Sequence, residues 1–187
     1  GQFLPIDEVG VYTVALRVSS IVCIILVAAN ISFAPQVAER FHTAGMDGAV
    51  AYARSQTRVL FPITVAAALL IIVLSPTILG LFGSGFRDGF SAVVILSLGH
   101  VAATLFGQPG FFLQMTTGQK DMVVVTVSAL IFGLVAGLVL IPAFGIIGAA
   151  LSSSSALFLR ALFATYFIKR QTGTGITIFH ALVKGTK

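Results

Sequence analysis

The sequence predicts an all-α membrane protein, a polytopic bundle of about five transmembrane helices, and its composition is the first reason. Of its 187 residues, 57% belong to the AVILMFWYC set and only 9% are charged, and the mean hydropathy is +1.06. A soluble domain has about 25% charged residues, so a soluble chain of this composition could not cover its surface with polar groups. The second reason is the length of its apolar runs, and the third is the placement of its cations.

Five apolar runs have the length of a membrane-spanning helix, which needs about 20 residues. They extend over about 9–33, 59–82, 90–113, 122–141 and 146–168. Pro35 closes the first run, Pro142 closes the fourth, and Lys169 and Arg170 close the fifth. A transmembrane barrel would show alternating segments of about 10 residues, which the sequence lacks.

The connections indicate which helices are neighbours. The longest polar stretch, 36–58, is predicted to form a short amphipathic helix, a turn at Gly45 to Gly48, and a second helix that enters the next span. The other connections are short, which makes consecutive helices antiparallel. Pro109 lies inside the third run, where it would kink a helix. Residues 1–170 would therefore form the membrane domain, and 171–187 a polar cytoplasmic tail.

The positive charges predict the orientation. The opposite loops hold Arg87 alone, whereas one set of loops holds Arg40, Arg54, Arg58, Lys120, Lys169, Arg170, Lys184 and Lys187. Cytoplasmic loops are enriched in Lys and Arg, so this bias predicts a multi-pass protein with a cytoplasmic C-terminus. The net charge of +5 is explained by this topology, and we expect no nucleic-acid partner.

Two arginines lie inside the runs and are candidate substrate contacts. An arginine near the centre of a membrane helix costs about 2.5–3.5 kcal/mol on insertion scales, so it usually faces a partner or a wet cavity. At intervals of four residues, Arg160 shares one helix stripe with the small residues Gly148, Ser152, Ala156 and Ala164. Arg160 is therefore a candidate contact for an anion such as a phosphate. An internal ion pair, or snorkelling over roughly 12 Å to the cytoplasmic interface, is the alternative.

Arg17 shares one helix face with Thr13 and Ser20, at i, i+4 and i+7 spacing. A guanidinium beside two hydroxyls suits a diphosphate, because its donors fork onto two oxygens. Snorkelling over roughly 9 Å to the outer interface is the alternative for this arginine.

A weaker polar group occupies the third run, where His100 and Gln108 fall at helical spacing with Ser97 and Thr104. These side chains could line a polar cavity or carry a proton, but hydrogen bonding between helices is the favoured interpretation. Asn30 in the first run is interpreted in the same way.

Acidic residues are absent from the interior of every run, since all six lie at run edges or in loops. The sequence also lacks HExxH, P-loop, GxSxG and CxxC motifs. We therefore expect no enzyme activity, no catalytic residue, no metal and no cofactor.

Several stretches in order suggest a family. They are EVGVYTVALRVSSIV, FAPQVAERF, PTILGLFGSGF, GQPGFFLQMTTGQKD and LIPAFGIIGAALSSSSALFLRALFATYF. Over roughly residues 8–170, this series resembles the C-terminal half of polysaccharide flippases, the O-antigen and exopolysaccharide exporters of the multidrug/oligosaccharidyl-lipid/polysaccharide superfamily.

The resemblance implies one lobe of a two-lobe transporter in the bacterial plasma membrane, whose partner would be a missing N-terminal lobe of the same protein. It implies a polyprenyl-diphosphate-linked oligosaccharide as the substrate, flipped by alternating access. Arg17 falls where these proteins often carry a cavity arginine, whereas Arg160 lies on the last helix, further from the cavity.

Three other functions remain open from the sequence. An organic-cation antiporter of the same superfamily would want a carboxylate in the spans, and none is present. A lipid II flippase fits a cationic cavity equally well. A membrane scaffold without transport activity is the third.

Overall fold

A computed structural model describes residues 5–116, 118–173 and 175–178, and these residues are helical with no strand. The elements are listed in chain order: helix α1 (Ile6–Leu81), a 3-10 helix (Ser84–Gly89), α2 (Phe90–Thr104), α3 (Pro109–Met115) and α4 (Gln119–Thr172). Three stretches are long and apolar enough to cross a membrane, namely α1, Ser84–Thr104 and α4. The described residues therefore have the all-helical fold class, with three stretches that could span a membrane.

Helix α1 folds back on itself at Gly45, whose φ of 69° and ψ of −165° are not helical. The rings of Phe33 and Tyr52 stack with their centroids 5.9 Å apart. In a straight helix, residues so far apart in sequence would be separated by roughly 28 Å. Helix α1 therefore consists of two antiparallel arms, 6–44 and 46–81, and the break lies within the predicted turn.

Helix α4 folds back in the same way at Gly145, where φ is 57° and ψ is −129°. Near the two ends of the helix, the Gln171 side-chain amide donates to an Asp121 carboxylate oxygen at 2.6 Å. Closer to the turn, a Cβ added at Gly133 would lie 3.1 Å from the Cβ of Ala156. The small-residue stripe that includes Ala156 thus packs against the first arm of its own helix.

The predicted runs differ from the helices where prolines occur. Helix α1 continues through Pro35, and α4 continues through Pro142 as far as Gly145, because a proline removes only its own amide bond and kinks the helix. The predicted third run, 90–113, is two helices. Gly107 has a φ of 79°, and Pro109 begins α3 while keeping Gln108 out of helical geometry.

Two clusters of buried side chains hold the bundle together. The first joins the beginning of α1 to α2 through residues such as Ala15, Val22 and Val93. The second joins the Gly45 turn, α3 and both ends of α4 through residues such as Phe33 and Phe112. We call the end of the bundle that holds the second cluster the basic end. Six cations of α1 and α4 flank it: Arg40, Arg54, Arg58, Lys120, Lys169 and Arg170.

Arg87 lies at the opposite end, where its guanidinium packs beside Gly80. Arg87 and the six cations of the basic end therefore lie at opposite ends of the described bundle. Lys184, Lys187 and most of the predicted tail, 171–187, lie outside the described residues.

Candidate binding cavity

A cavity of about 480 Å³ lies between the two buried clusters. Its walls come from the first arm of α1, the end of α2, the start of α3 and the second arm of α4. Five of the polar residues singled out in the sequence line it together: Asn30, His100, Thr104, Gln108 and Arg160. The Thr104 hydroxyl donates to the His100 carbonyl of its own helix at 2.8 Å. The fold thus brings together side chains from segments that are distant in sequence.

Arg160 supplies the cavity's positive charge. Ser152 and Ala156, in the small-residue stripe of α4, pack against the first arm of that helix. Arg160 follows one turn later and lies beside the start of α3 at the cavity. Its Nη2 lies 4.0 Å from the position that a Cβ on Gly110 would occupy. Within the described part of the chain, Arg160 has no ion pair and no hydrogen bond, and none of the residues that line the cavity is acidic.

Three further polar side chains face the same space. Asn30 is 8% exposed, and its Oδ1 is buried without a partner among the described residues. His100 and Gln108 are half-buried, and no described group is hydrogen-bonded to either side chain. A buried polar group without a partner costs about 1–3 kcal/mol, so the Asn30 amide favours a polar ligand or water in the cavity.

The exposed lining residues mark the mouth of the cavity. Val27 is 56% exposed and Ile31 is 75% exposed, both on α1, and Arg160 is exposed on α4. The other lining residues are half-buried or buried. The mouth therefore opens sideways between two membrane helices, with aliphatic side chains on one rim and a guanidinium on the other.

The predicted Arg17 group lies elsewhere. Thr13 Oγ1 donates to the Val9 carbonyl at 2.8 Å, and Ser20 Oγ donates to the Arg17 carbonyl at 2.7 Å, so both hydroxyls bond to their own helix. Arg17 is exposed on the outer face of α1 and has no partner in the described ranges. The structure does not bring these three residues to the cavity. Ser97 is buried in α2 without lining the cavity.

Sequence reasoning missed part of the lining. Cys23 is half-buried and faces the cavity. Pro109, Gly110 and Phe111 line it because the chain breaks before α3. The proline inside an apolar run was the available signal for that break.

No protein-family model, no curated protein and no solved structure matches this chain. Its function is therefore inferred from the cavity and from the sequence.

Proposed function

We propose that this chain is part of a bacterial plasma-membrane transporter that flips polyprenyl-diphosphate-linked oligosaccharide for polysaccharide biosynthesis by alternating access. The supporting observation is Arg160, an arginine without a described partner, in a cavity between apolar helices that also holds Asn30, His100 and Gln108. Arg160 would contact the diphosphate, and the three other side chains would contact the polar groups beside it.

The charge of the cavity supports an anionic ligand. The guanidinium presents several donors in a planar fork, which matches two oxygens of a phosphate group. No carboxylate lines the cavity to neutralise it. Interactions between charges are stronger in an apolar surrounding than in water, so a diphosphate would gain more here than at the protein surface.

The shape of the cavity supports an amphiphilic ligand. A volume of about 480 Å³ is within the range of about 300–1,000 Å³ that is usual for small-molecule sites, and it suits a diphosphate with one sugar. Val27 and Ile31 at the mouth would contact a polyprenyl chain that stays in the lipid. The rest of the oligosaccharide would extend into a second lobe, which the resemblance to two-lobe flippases implies.

The proposed topology has five spans. Dividing α1 at Gly45 and α4 at Gly145 gives four membrane-length arms, and Ser84–Thr104 adds the fifth. We place the basic end in the cytoplasm, because cytoplasmic loops are enriched in Lys and Arg. The C-terminus of the chain is then cytoplasmic.

Complementation tests this proposal. Arg160→Ala and Arg160→Lys variants of the gene that encodes the chain are introduced into a flippase-null strain, and surface polysaccharide and membrane protein level are measured. We expect Arg160→Ala to be present at normal level, to abolish polysaccharide and to leave lipid-linked oligosaccharide on the cytoplasmic face. Arg160→Lys should retain part of the activity.

The matched control is Arg17→Ala, which removes an arginine of the same membrane protein outside the cavity. Normal polysaccharide with Arg160→Ala would contradict the proposal. If the unmodified gene instead fails in strains that lack a polysaccharide flippase and rescues a strain that lacks the lipid II flippase, that result would identify lipid II as the substrate. Export of organic cations would support the antiporter instead.

A further inference from the structure

The cavity is closed in different ways towards the two ends of the bundle. On the side away from the basic end, α2 and the 3-10 helix that precedes it touch the long helices α4 and α1 directly. A Cβ added at Gly99 would lie 2.6 Å from Ser154 Oγ, and one added at Gly89 would lie 3.0 Å from a methyl group of Val11. The Tyr12 hydroxyl also shares a hydrogen bond of 2.9 Å with Ser153. Opening this side would require whole helices to separate.

Towards the basic end, the closure is made of short pieces. Helix α3 has only seven residues, and it contributes Pro109, Gly110 and Phe111 to the lining. It follows a non-helical break that contains Gly107, whose positive φ is accessible to glycine at little cost. A chain break of this kind lets a short helix change its orientation without bending the helix before it.

The segment after α4 holds this break in place. We call residues 175–178 the strap. Arg54 Nε donates to the Gly175 carbonyl at 2.9 Å. The Thr57 hydroxyl donates to the Ala53 carbonyl of its own helix at 2.9 Å and also lies 3.3 Å from the Ile176 carbonyl oxygen. The amide of Ile178 donates to the Leu105 carbonyl, within the break, at 2.9 Å. The strap therefore ties the second arm of α1 to the break before α3.

The packing of the strap agrees with this role. Ile176 is 0% exposed and belongs to the same buried cluster as Phe112 of α3. A Cβ added at Gly107 would lie 2.5 Å from Thr57 Oγ1 and 3.2 Å from the Ile176 carbonyl oxygen. Gly107 lines the cavity on one side and contacts the strap on the other, so a single residue separates the two.

We propose that α3 and the strap form the gate between the cavity and the basic side of the membrane, with the strap as its latch. When the strap leaves Arg54, Thr57 and Leu105, α3 pivots at Gly107 and a water-filled path opens to the cavity. This gate concerns access alone, so it does not depend on which ligand the cavity binds.

Cys23 reports access to the cavity, because it lines the cavity and is the only cysteine of the 187 residues. The experiment measures its rate of modification by a charged, membrane-impermeant methanethiosulfonate reagent, added to each face of membrane vesicles in turn. A Cys23→Ser variant gives the background. A charged reagent cannot arrive through lipid, so the rate reports the aqueous path.

The latch variants are Thr57→Val and Arg54→Gln. Arg54→Gln removes a hydrogen bond to the strap, so we expect the rate from the basic side to rise roughly two- to ten-fold, as for the loss of a bond of typical net strength. Thr57→Val removes the longer contact of the Thr57 hydroxyl with the Ile176 carbonyl, so we expect a smaller rise from the same side. The rate from the opposite side should not change. The matched control is Thr64→Val, on the same arm, because Thr64 is buried like Thr57 and bonds only to the Leu60 carbonyl.

A general loosening of the bundle is measured separately, in a Cys23→Ser background that carries Ala15→Cys. Ala15 is buried in the cluster that joins the beginning of α1 to α2. This cysteine should stay unreactive in both latch variants. The gate would be refuted by unchanged Cys23 rates in Thr57→Val and Arg54→Gln, or by an equal rise in Thr64→Val. It would also be refuted if the rate rose only from the opposite face.

Discussion

Arg160 and Arg17 are both arginines inside membrane-length helices without a described partner, yet their surroundings differ. Arg160 stands at the mouth of a cavity beside Asn30, His100 and Gln108. Arg17 stands on the outer face of α1, between the exposed side chains of Leu16 and Ile21. A charge in a membrane helix can be accommodated by a wet cavity or by snorkelling to the interface. The comparison shows that depth in a helix does not identify a site, whereas the neighbouring side chains do.

Reversing the charge of the cavity should have the largest effect. Arg160→Glu would repel an anionic ligand, so we expect complementation of a flippase-null strain to be lost completely. The companion variant Arg17→Glu should retain most of the activity if it inserts normally. Immunoblots of membrane fractions check that both proteins are present. If both variants lost complementation to a similar extent at equal protein level, the two arginines would not differ in function and this account would be contradicted.

An intermediate effect is expected from Asn30→Leu. This substitution removes a buried amide whose oxygen has no described partner, so it should stabilise the fold by about 1 kcal/mol or more. It also removes a polar contact in the cavity, so binding of a lipid-linked sugar should weaken roughly two- to ten-fold. Thermal unfolding in detergent and a binding titration measure the two quantities.

The control for Asn30→Leu is Thr13→Leu, which replaces an exposed residue whose hydroxyl bonds to its own helix. Thr13→Leu should change neither the thermal stability nor the affinity for the lipid-linked sugar appreciably. Asn30→Leu that destabilises the protein and leaves binding unchanged would mean that the amide has a packing role.

The smallest effect is expected on the Arg17 face. Arg17→Leu and Ser20→Ala should leave binding within about two-fold of the original, because neither residue lines the cavity and the Ser20 hydroxyl bonds to the Arg17 carbonyl. Arg17→Leu should also insert at least as well, since an arginine in a membrane helix is costly. A loss of binding comparable to that of Asn30→Leu would place a second site on this face.

The sequence predicted the features that depend on neighbours along the chain. The membrane class followed from composition, and the turn near Gly45 followed from a glycine-containing polar stretch between apolar runs. The break before α3 was harder to predict, because Gly107 and Pro109 lie in a run whose hydropathy continues across them. Hydropathy measures transfer to lipid, and it does not register backbone dihedral angles.

The cavity could be predicted only in part, because its residues come from separate segments. Helical spacing placed Arg17, Thr13 and Ser20 on one face, but it could not show whether that face is turned towards protein or lipid. Asn30, Gln108 and Arg160 lie in three separate segments of the chain, so no spacing rule connects them. Gln108 lies in the break that ends the helical register of His100.

The central claim is that Arg160 binds an anionic lipid head, and a binding measurement on purified protein tests it most directly. The dissociation constant for a polyprenyl-diphosphate-linked sugar is compared among the unmodified protein, Arg160→Ala, Arg160→Lys and Arg17→Ala. A hydrogen bond to a charged group is worth about 1.5–3 kcal/mol, so Arg160→Ala should weaken binding by roughly 10- to 150-fold. Arg160→Lys should fall in between, and Arg17→Ala should match the unmodified protein. Unchanged binding by a folded Arg160→Ala variant would contradict the claim.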